Sequence, residues 1–177
     1  MLKKILLALV VLIFVFVIVV ALRPADFRVA RSATIAAAPA ALFEQVNDLH
    51  KFQDWNPWAK IDPAAQMTYS GPPSGVGAGY NWAGNSEVGE GTMTITESRP
   101  GELVRCRMEF RKPFAATNTA EFTFQAEGDQ TVMTWSMSGA NNFMGKAVSL
   151  FLDCDKMVGP QFEKGLENLR AVVAEKK

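Results

Sequence analysis

The most constraining feature of this sequence is an unbroken run of 18 apolar residues, ILLALVVLIFVFVIVVAL, at positions 5–22. At 1.5 Å per residue, a helix of this length measures about 27 Å, close to the ~30 Å hydrocarbon core of a bilayer. Lys3 and Lys4 precede the run, and Arg23-Pro24 ends it because proline disfavours continuation of a helix. The pattern predicts one transmembrane helix, and no other segment is apolar over such a length.

A cleaved signal peptide is the alternative interpretation of this segment. Signal peptides have a basic start, as here, but an apolar centre of only roughly 7–15 residues. The one passable cleavage site follows Ala21, where bulky Val19 stands three residues before the cut and Leu22 follows it. We therefore favour an uncleaved anchor over residues 5–22.

The predicted anchor indicates in which membrane the protein lies and on which side its main domain is found. We expect a single pass through the inner, cytoplasmic membrane, with the main domain on the periplasmic side. Arg23, Arg28 and Arg31 weaken this orientation, because positive charge collects on the cytoplasmic side of membranes. The predicted segments are a cytoplasmic amino terminus at 1–4, a linker at 23–26 and one domain at 27–177.

Composition argues against several classes of function. The 18 basic and 18 acidic residues give a formal net charge of zero, and no Lys/Arg cluster is present, so nucleic-acid binding is unsupported. One histidine (His50), two cysteines (Cys106 and Cys154) and no CxxC motif are too few ligands for a His/Cys metal site. We expect the two cysteines to be free thiols rather than a disulfide, and we expect no cofactor.

The hydrophobic period gives the order of secondary structure after the linker. Alternation with period two predicts strands, and a 3.6-residue period predicts helices. The predicted strands are 27–37, 66–70, 80–82, 89–98, 102–111, 117–127 and 131–138. The predicted helical segments are 39–49, a short piece around 50–55, 142–152 and a long final helix from Gly159-Pro160 to about 174.

The strand pattern separates an apolar face from a polar face. Between residues 102 and 111, Val104 and Cys106 share one face while Arg105 and Arg107 share the other, as in a half-buried antiparallel strand. The final helix is the only element long enough to cover the apolar face of such a sheet. Gly165 lies beside the apolar stripe of that helix, which indicates close approach to another element.

Several local strings, together with this order of elements, resemble the START-like superfamily, also called SRPBCC or polyketide cyclase/dehydrase-like. The strings are DWNPWAKIDP (54–63), TYSGPPSGVGAGYNWAGN (68–85), GEGTMTITESRPGE (89–102), TWSMSG (134–139) and LFLDCDKMVGPQFEKGLENLR (150–170). The resemblance is strongest to the bacterial subgroup with an amino-terminal membrane segment. It implies an α+β helix-grip fold, in which a curved antiparallel sheet of six to seven strands surrounds a long carboxy-terminal helix.

The resemblance also implies a small hydrophobic or amphipathic ligand, for example a lipid, in a cavity between sheet and final helix. Aromatic and methionine side chains suit an adaptable apolar pocket. A solid core packed on the final helix is the alternative, because the same pattern fits both. The predicted lining residues are Trp55, Trp58, Tyr80, Trp82, Met93, Cys106, Met108, Phe110, Phe122, Phe124, Met133, Trp135, Phe143, Phe151, Phe162 and Leu166.

Two segments have competing interpretations of their own. The Trp55-Asn56-Pro57-Trp58 string either rims the entrance of a cavity or seals one end of the core, and sealing is favoured. The 142–152 segment is either a gate over the cavity or a plain connector.

No catalytic motif is present, since GxSxG, HExxH, Walker and Rossmann patterns are all missing from the sequence. A cyclase- or dehydrase-type enzyme remains the alternative function, with Tyr80 as the one inward acid or base. Asp153 and Asp155 are interpreted as helix caps rather than cation ligands. A structural or interaction module with a filled core is the third hypothesis.

Overall fold

A computed structural model describes residues 1–175 of the chain. The strands are β1 (Asp26–Ile35), β2 (Gln66–Ser70), β3 (Gly79–Ala83), β4 (Glu90–Arg99), β5 (Leu103–Lys112), β6 (Ala116–Glu127) and β7 (Gln130–Ala140). The helices are α1 (Leu2–Leu22), α2 (Pro39–Asn47), α3 (Leu49–Trp55), α4 (Trp58–Ile61), α5 (Phe143–Val148) and α6 (Cys154–Glu175).

The seven strands form one curved antiparallel sheet in the order β1-β7-β6-β5-β4-β3-β2. The first strand therefore pairs with the last, and the other neighbours follow chain order through short turns. The long helix α6 packs across the concave face, next to β1 and the pair α2–α3. The predicted α+β helix-grip architecture is confirmed.

The helix α1 contains 21 residues with a mean hydropathy of 3.7. Its length and composition suit a single membrane span, and a signal sequence near the amino terminus meets the same criteria. Val20, in its last turn, is buried against the domain, whereas the other side chains of the helix are exposed. The helix thus presents an apolar cylinder that the rest of the chain leaves uncovered.

Alternation along the strands decides which side chains enter the core, as the sequence predicts. On β5, Val104 and Cys106 are fully buried, while Arg105 and Arg107 lie on the convex face. Arg105 there forms ion pairs with Glu97 of β4 and Glu121 of β6. Antiparallel pairing places these opposite charges side by side, so the outer face carries a cross-strand charge ladder.

Aromatic rings fill the space between the sheet and α6. Trp135 of β7 stacks on Phe162 of α6 with ring centroids 4.2 Å apart and an interplanar angle of 15°. The ring centroids of Trp55 and Phe122 lie 5.4 Å and 5.1 Å from that of Trp135. All four residues are at most 3% exposed. The middle of the sheet therefore rests on an interlocked aromatic core.

Gly165 permits this packing, as its position beside the stripe predicts. A Cβ atom at this position would lie 2.6 Å from Cζ3 of Trp135 and 3.2 Å from Cδ of Pro57. Only a residue without a side chain lets α6 come this close to the ring and to the Trp55–Trp58 segment.

Two predicted boundaries are corrected. The final helix begins at Cys154, five residues before Gly159, and Pro160 lies inside it. The earlier start is stabilised because Asp153 Oδ1 accepts hydrogen bonds from the backbone N–H groups of Asp155 and Lys156, the capping role expected for this residue. In addition, residues 58–61, which lie in none of the predicted strands or helices, form the short helix α4.

Arg31 is the one charged side chain on the concave side of β1, and α6 supplies its partners. Its guanidinium donates to both carboxylate oxygens of Asp155 at 2.8 Å and to Glu163 at 2.6 Å. These bonds lower the pKa of the Asp155 carboxyl below its usual value. Gly159 lies directly over the guanidinium, where a Cβ atom would be 2.1 Å from Nη2. The pairing fixes the first turns of α6 against β1.

Candidate functional site

A concave groove of about 1020 Å³ lies at one end of the sheet. One wall is the β5–β6 hairpin, and the opposite wall is α5 together with the first turns of α6. The start of β1 and the end of β7 close its base. The groove lies beside the aromatic core rather than within it. Met137 and Val158 line the groove on one side and pack with the core on the other.

Apolar side chains from distant parts of the chain line most of the groove. The hairpin wall and floor contribute Phe27, Phe110, Pro113, Phe114, Ala115, Ala116, Met137 and Ala140. The helical wall contributes Met144, Gly145, Val148, Leu152, Cys154, Met157 and Val158. The polar residues of the lining are fewer: Glu109, Arg111, Thr117, Asn118, Asn141, Asn142 and Ser149. Such a lining suits a mainly apolar ligand with a polar end.

The titratable groups of the groove are already engaged or held neutral. Glu109 accepts a hydrogen bond from Arg107 at 2.9 Å, and Arg111 donates to Gly91 O and Thr92 Oγ1. Burial raises the pKa of the Cys154 thiol, and the neighbouring carboxylates of Asp153 and Asp155 act in the same direction. Cys154 and the buried Cys106 are both free thiols.

Most of the predicted lining residues lie in the packed core. Eleven are buried there: Trp55, Tyr80, Trp82, Met93, Cys106, Phe122, Phe124, Met133, Trp135, Phe162 and Leu166. Trp58, Met108 and Phe110 are partly buried against this core, and Phe143 and Phe151 are exposed. Phe110 alone among the sixteen lines the groove. Ligand contacts for the other fifteen stay a prediction.

The aromatic residues of the 55–58 string pack inward and do not border the groove. Trp55 is fully buried and donates its indole N–H to Gln45 O at 3.0 Å. The ring centroid of Trp58 lies 5.8 Å from that of Trp135 and 6.2 Å from that of Phe162. This string therefore seals the aromatic core, the role favoured for it.

Residues of the β5–β6 hairpin are functional candidates that the periodicity leaves out. The tip between the strands reads Pro113-Phe114-Ala115-Ala116, which is apolar where a solvent-facing turn would be polar. Phe114 is 62% exposed at this tip. An apolar turn between two amphipathic strands is the signal by which this wall could have been found.

Tyr80, the acid–base candidate, and His50, the single histidine, both lie outside the groove lining. Tyr80 is buried in the core, and this burial raises the pKa of its hydroxyl well above the usual value. His50 is largely exposed and stacks on Tyr69 with ring centroids 3.8 Å apart. Among residues 1–175, no three His, Cys, Asp or Glu side chains are grouped closely enough to hold a metal ion.

A family model described as polyketide cyclase/dehydrase and lipid transport matches residues 26–174. The match covers β1 through nearly all of α6 and excludes α1. No curated protein sequence matches the chain. The span agrees with the START-like resemblance.

Solved structures with the same fold are distant in sequence. Protein MLL2253 from Mesorhizobium loti superposes with a TM-score of 0.61 at 14% identity, covering 85% of this chain and 99% of its own. Protein CV1439 from Chromobacterium violaceum gives 0.60 at 14% identity, with 85% and 98% covered. Protein Ms6760 from Mycobacterium smegmatis gives 0.59 at 16% identity, with 85% and 92% covered. These likenesses establish the fold.

Proposed function

Because the chain belongs to the polyketide cyclase/dehydrase and lipid transport family, we propose that it is a membrane-tethered binding protein for a small hydrophobic or amphipathic ligand. The helix α1 anchors it in the inner membrane by a single pass, and the domain lies on the periplasmic side. The observation that carries the proposal is the mostly apolar groove of about 1020 Å³ between the β5–β6 hairpin and α5–α6.

The size of the groove supports a lipid-like ligand. Small-molecule sites typically enclose roughly 300–1,000 Å³, so this groove can take a molecule as large as a fatty acid or a larger amphiphile. Burying apolar ligand surface contributes about 25 cal/mol per Å², which is sufficient for binding without a catalytic group. The polar side chains of the groove lining suit a headgroup or carboxylate.

Binding fits the groove better than catalysis does. A cyclase or dehydrase needs a positioned acid or base next to the substrate. Glu109 and Arg111 are committed to other protein groups, and burial keeps the Cys154 thiol protonated. Tyr80 lies in the packed core, outside the groove lining.

The anchor is tested by fractionation of cells that express the full chain with a carboxy-terminal tag. We expect nearly all of the protein in the membrane pellet, resistant to carbonate and released by detergent, because 18 apolar residues span the bilayer. Intact-mass measurement should give the full-length chain. A soluble product beginning at Leu22 would instead identify residues 1–21 as a cleaved signal peptide.

The groove is tested by filling it. Ala116 shares the concave face with Phe110 opposite, so Ala116→Trp should occupy the groove. We expect wild-type protein in mild detergent to bind cis-parinaric acid in native mass spectrometry, and the variant to bind at least about tenfold more weakly, a loss of about 1.4 kcal/mol.

The matched control is Thr123→Trp, on the exposed convex side of the same strand. It adds the same side chain outside the groove and should bind the probe as wild type does. Absence of probe binding by the wild type, or equal binding by the Ala116→Trp variant, would exclude the groove as the ligand site.

A further inference from the structure

Exposed apolar side chains are concentrated at the end of the domain that carries the groove. Outside α1, the large ones at this end are Phe114, Phe143, Met144, Phe151, Leu152 and Met157, here called the apolar face. Phe114, Met144, Leu152 and Met157 also line the groove, so the apolar face is its rim. A patch of this kind marks a surface that contacts a partner or a membrane.

The same end of the domain contacts α1 directly. The last turn of α1 packs on α5, and Val20 is fully buried there. Lys146 of α5 reaches the carbonyl oxygen of Ala21 at 3.4 Å. Any bilayer that contains α1 up to Leu22 therefore meets α5 at its surface.

The linker between α1 and β1 is too short and too well ordered to separate the anchor from the end of the domain that carries the groove. Three residues, 23–25, connect α1 to β1, and an extended chain covers only about 3.5 Å per residue, or about 10 Å in all. The backbone N–H of Asn141, a groove residue, donates to Ala25 O at 2.8 Å. The sheet thus continues to within three residues of the anchor, so the groove stays near the membrane surface.

We propose that the apolar face inserts into the interface of the lipid bilayer that holds α1, and that the groove opens onto its acyl chains. The occupant of this face is the bilayer, because the anchor that fixes the face is itself a bilayer element. Amphipathic elements with aromatic and aliphatic side chains bury their apolar side about 5–10 Å into such an interface. The inference rests on the proposed anchoring by α1, and it makes a lipid of the same membrane the ligand.

The depth of the apolar face can be measured on the full chain. In a Cys154→Ser background, which leaves only the buried Cys106, a single cysteine at Phe151→Cys is labelled with bimane. The protein is reconstituted in phosphatidylcholine/phosphatidylglycerol vesicles with and without lipid carrying a nitroxide on carbon 5 of the acyl chain. Phe151 is 79% exposed and outside the groove lining, so the label perturbs neither the core nor the groove.

Asp129→Cys provides the matched control, since this exposed position lies in the β6–β7 turn at the opposite end of the sheet. We expect the label at position 151 to be quenched at least about fivefold more than the label at 129, because only the apolar face reaches the acyl region. A second variant, Phe143→Asp on the same face, should reduce quenching at 151 because a charge opposes insertion.

Equal quenching of the labels at positions 151 and 129 would overturn the inference. So would a label at position 151 that stays unquenched both with and without the Phe143→Asp substitution. The second pattern would be expected if another copy of the protein covered the face. Native mass spectrometry of the unsubstituted chain, which keeps Cys154 in the groove lining, separates this failure from failure of the proposed function. Binding of cis-parinaric acid without quenching refutes only membrane insertion, whereas quenching without binding refutes only the ligand site.

Discussion

Replacing Trp135 by alanine is expected to destabilise the domain by ~3–5 kcal/mol, the cost of removing a large buried aromatic side chain. The ring is 3% exposed, stacks on Phe162 and contacts Trp55 and Phe122, so its loss leaves a cavity between the sheet and α6. Because whole domains are stable by only about 5–15 kcal/mol, this loss is a large fraction of the total free energy of unfolding. A urea titration of the full chain in detergent, followed by circular dichroism, gives the change in unfolding free energy.

Trp135→Phe is the graded control for this experiment. It retains a ring that can stack on Phe162 and should lose clearly less stability than the alanine variant does. If the alanine variant unfolds at the wild-type urea concentration, the space between sheet and helix is not a packed core. The ligand would then have room where the structure places interlocked rings.

The second large effect is expected for Leu166→Ala, which should cost ~2–5 kcal/mol. Leu166 is 2% exposed in the middle of the apolar stripe of α6, the helix that covers the sheet. Arg107→Ala, on the convex face of β5, should cost less than ~0.5 kcal/mol, because its ion pair with Glu109 is exposed. Denaturant midpoints of both variants, measured side by side, give the comparison. Equal midpoints for the two variants would contradict the assignment of Leu166 to the core and of Arg107 to the convex face.

Much of the fold could be predicted from the sequence because its physical causes are local. Alternation along β5 and β7 shows which side chains share a face, and each pattern requires only a few neighbouring residues. Gly165 is another case, since a glycine beside an apolar helical stripe has few reasons to exist other than close packing. The sequence predicts too late a start for α6, because Gly159-Pro160 resembles a helix start. Capping by Asp153 and the pairing of Arg31 with Asp155 extend the helix to Cys154.

The candidate site could be predicted only in part. Periodicity predicts that Phe110 faces inward, and Phe110 lines the groove, but Trp135 and Phe162 have the same periodic signature and fill the core. Periodicity reports the direction of a side chain, whereas a cavity depends on whether side chains from several elements occupy the same volume. Phe143 and Phe151 illustrate the converse, because they have a helical apolar spacing yet both side chains are exposed.

The apolar helix at the amino terminus, the antiparallel sheet, its buried face and the long covering helix can all be predicted from the chain without coordinates. Each of these follows from apolar length or from hydrophobic period within one segment. In contrast, tertiary packing is what fills the middle of the sheet with aromatic rings and places the groove at its end, beside α1. That outcome depends on residues as far apart as Phe27, Phe114 and Met157, which chain folding brings together and local sequence does not connect.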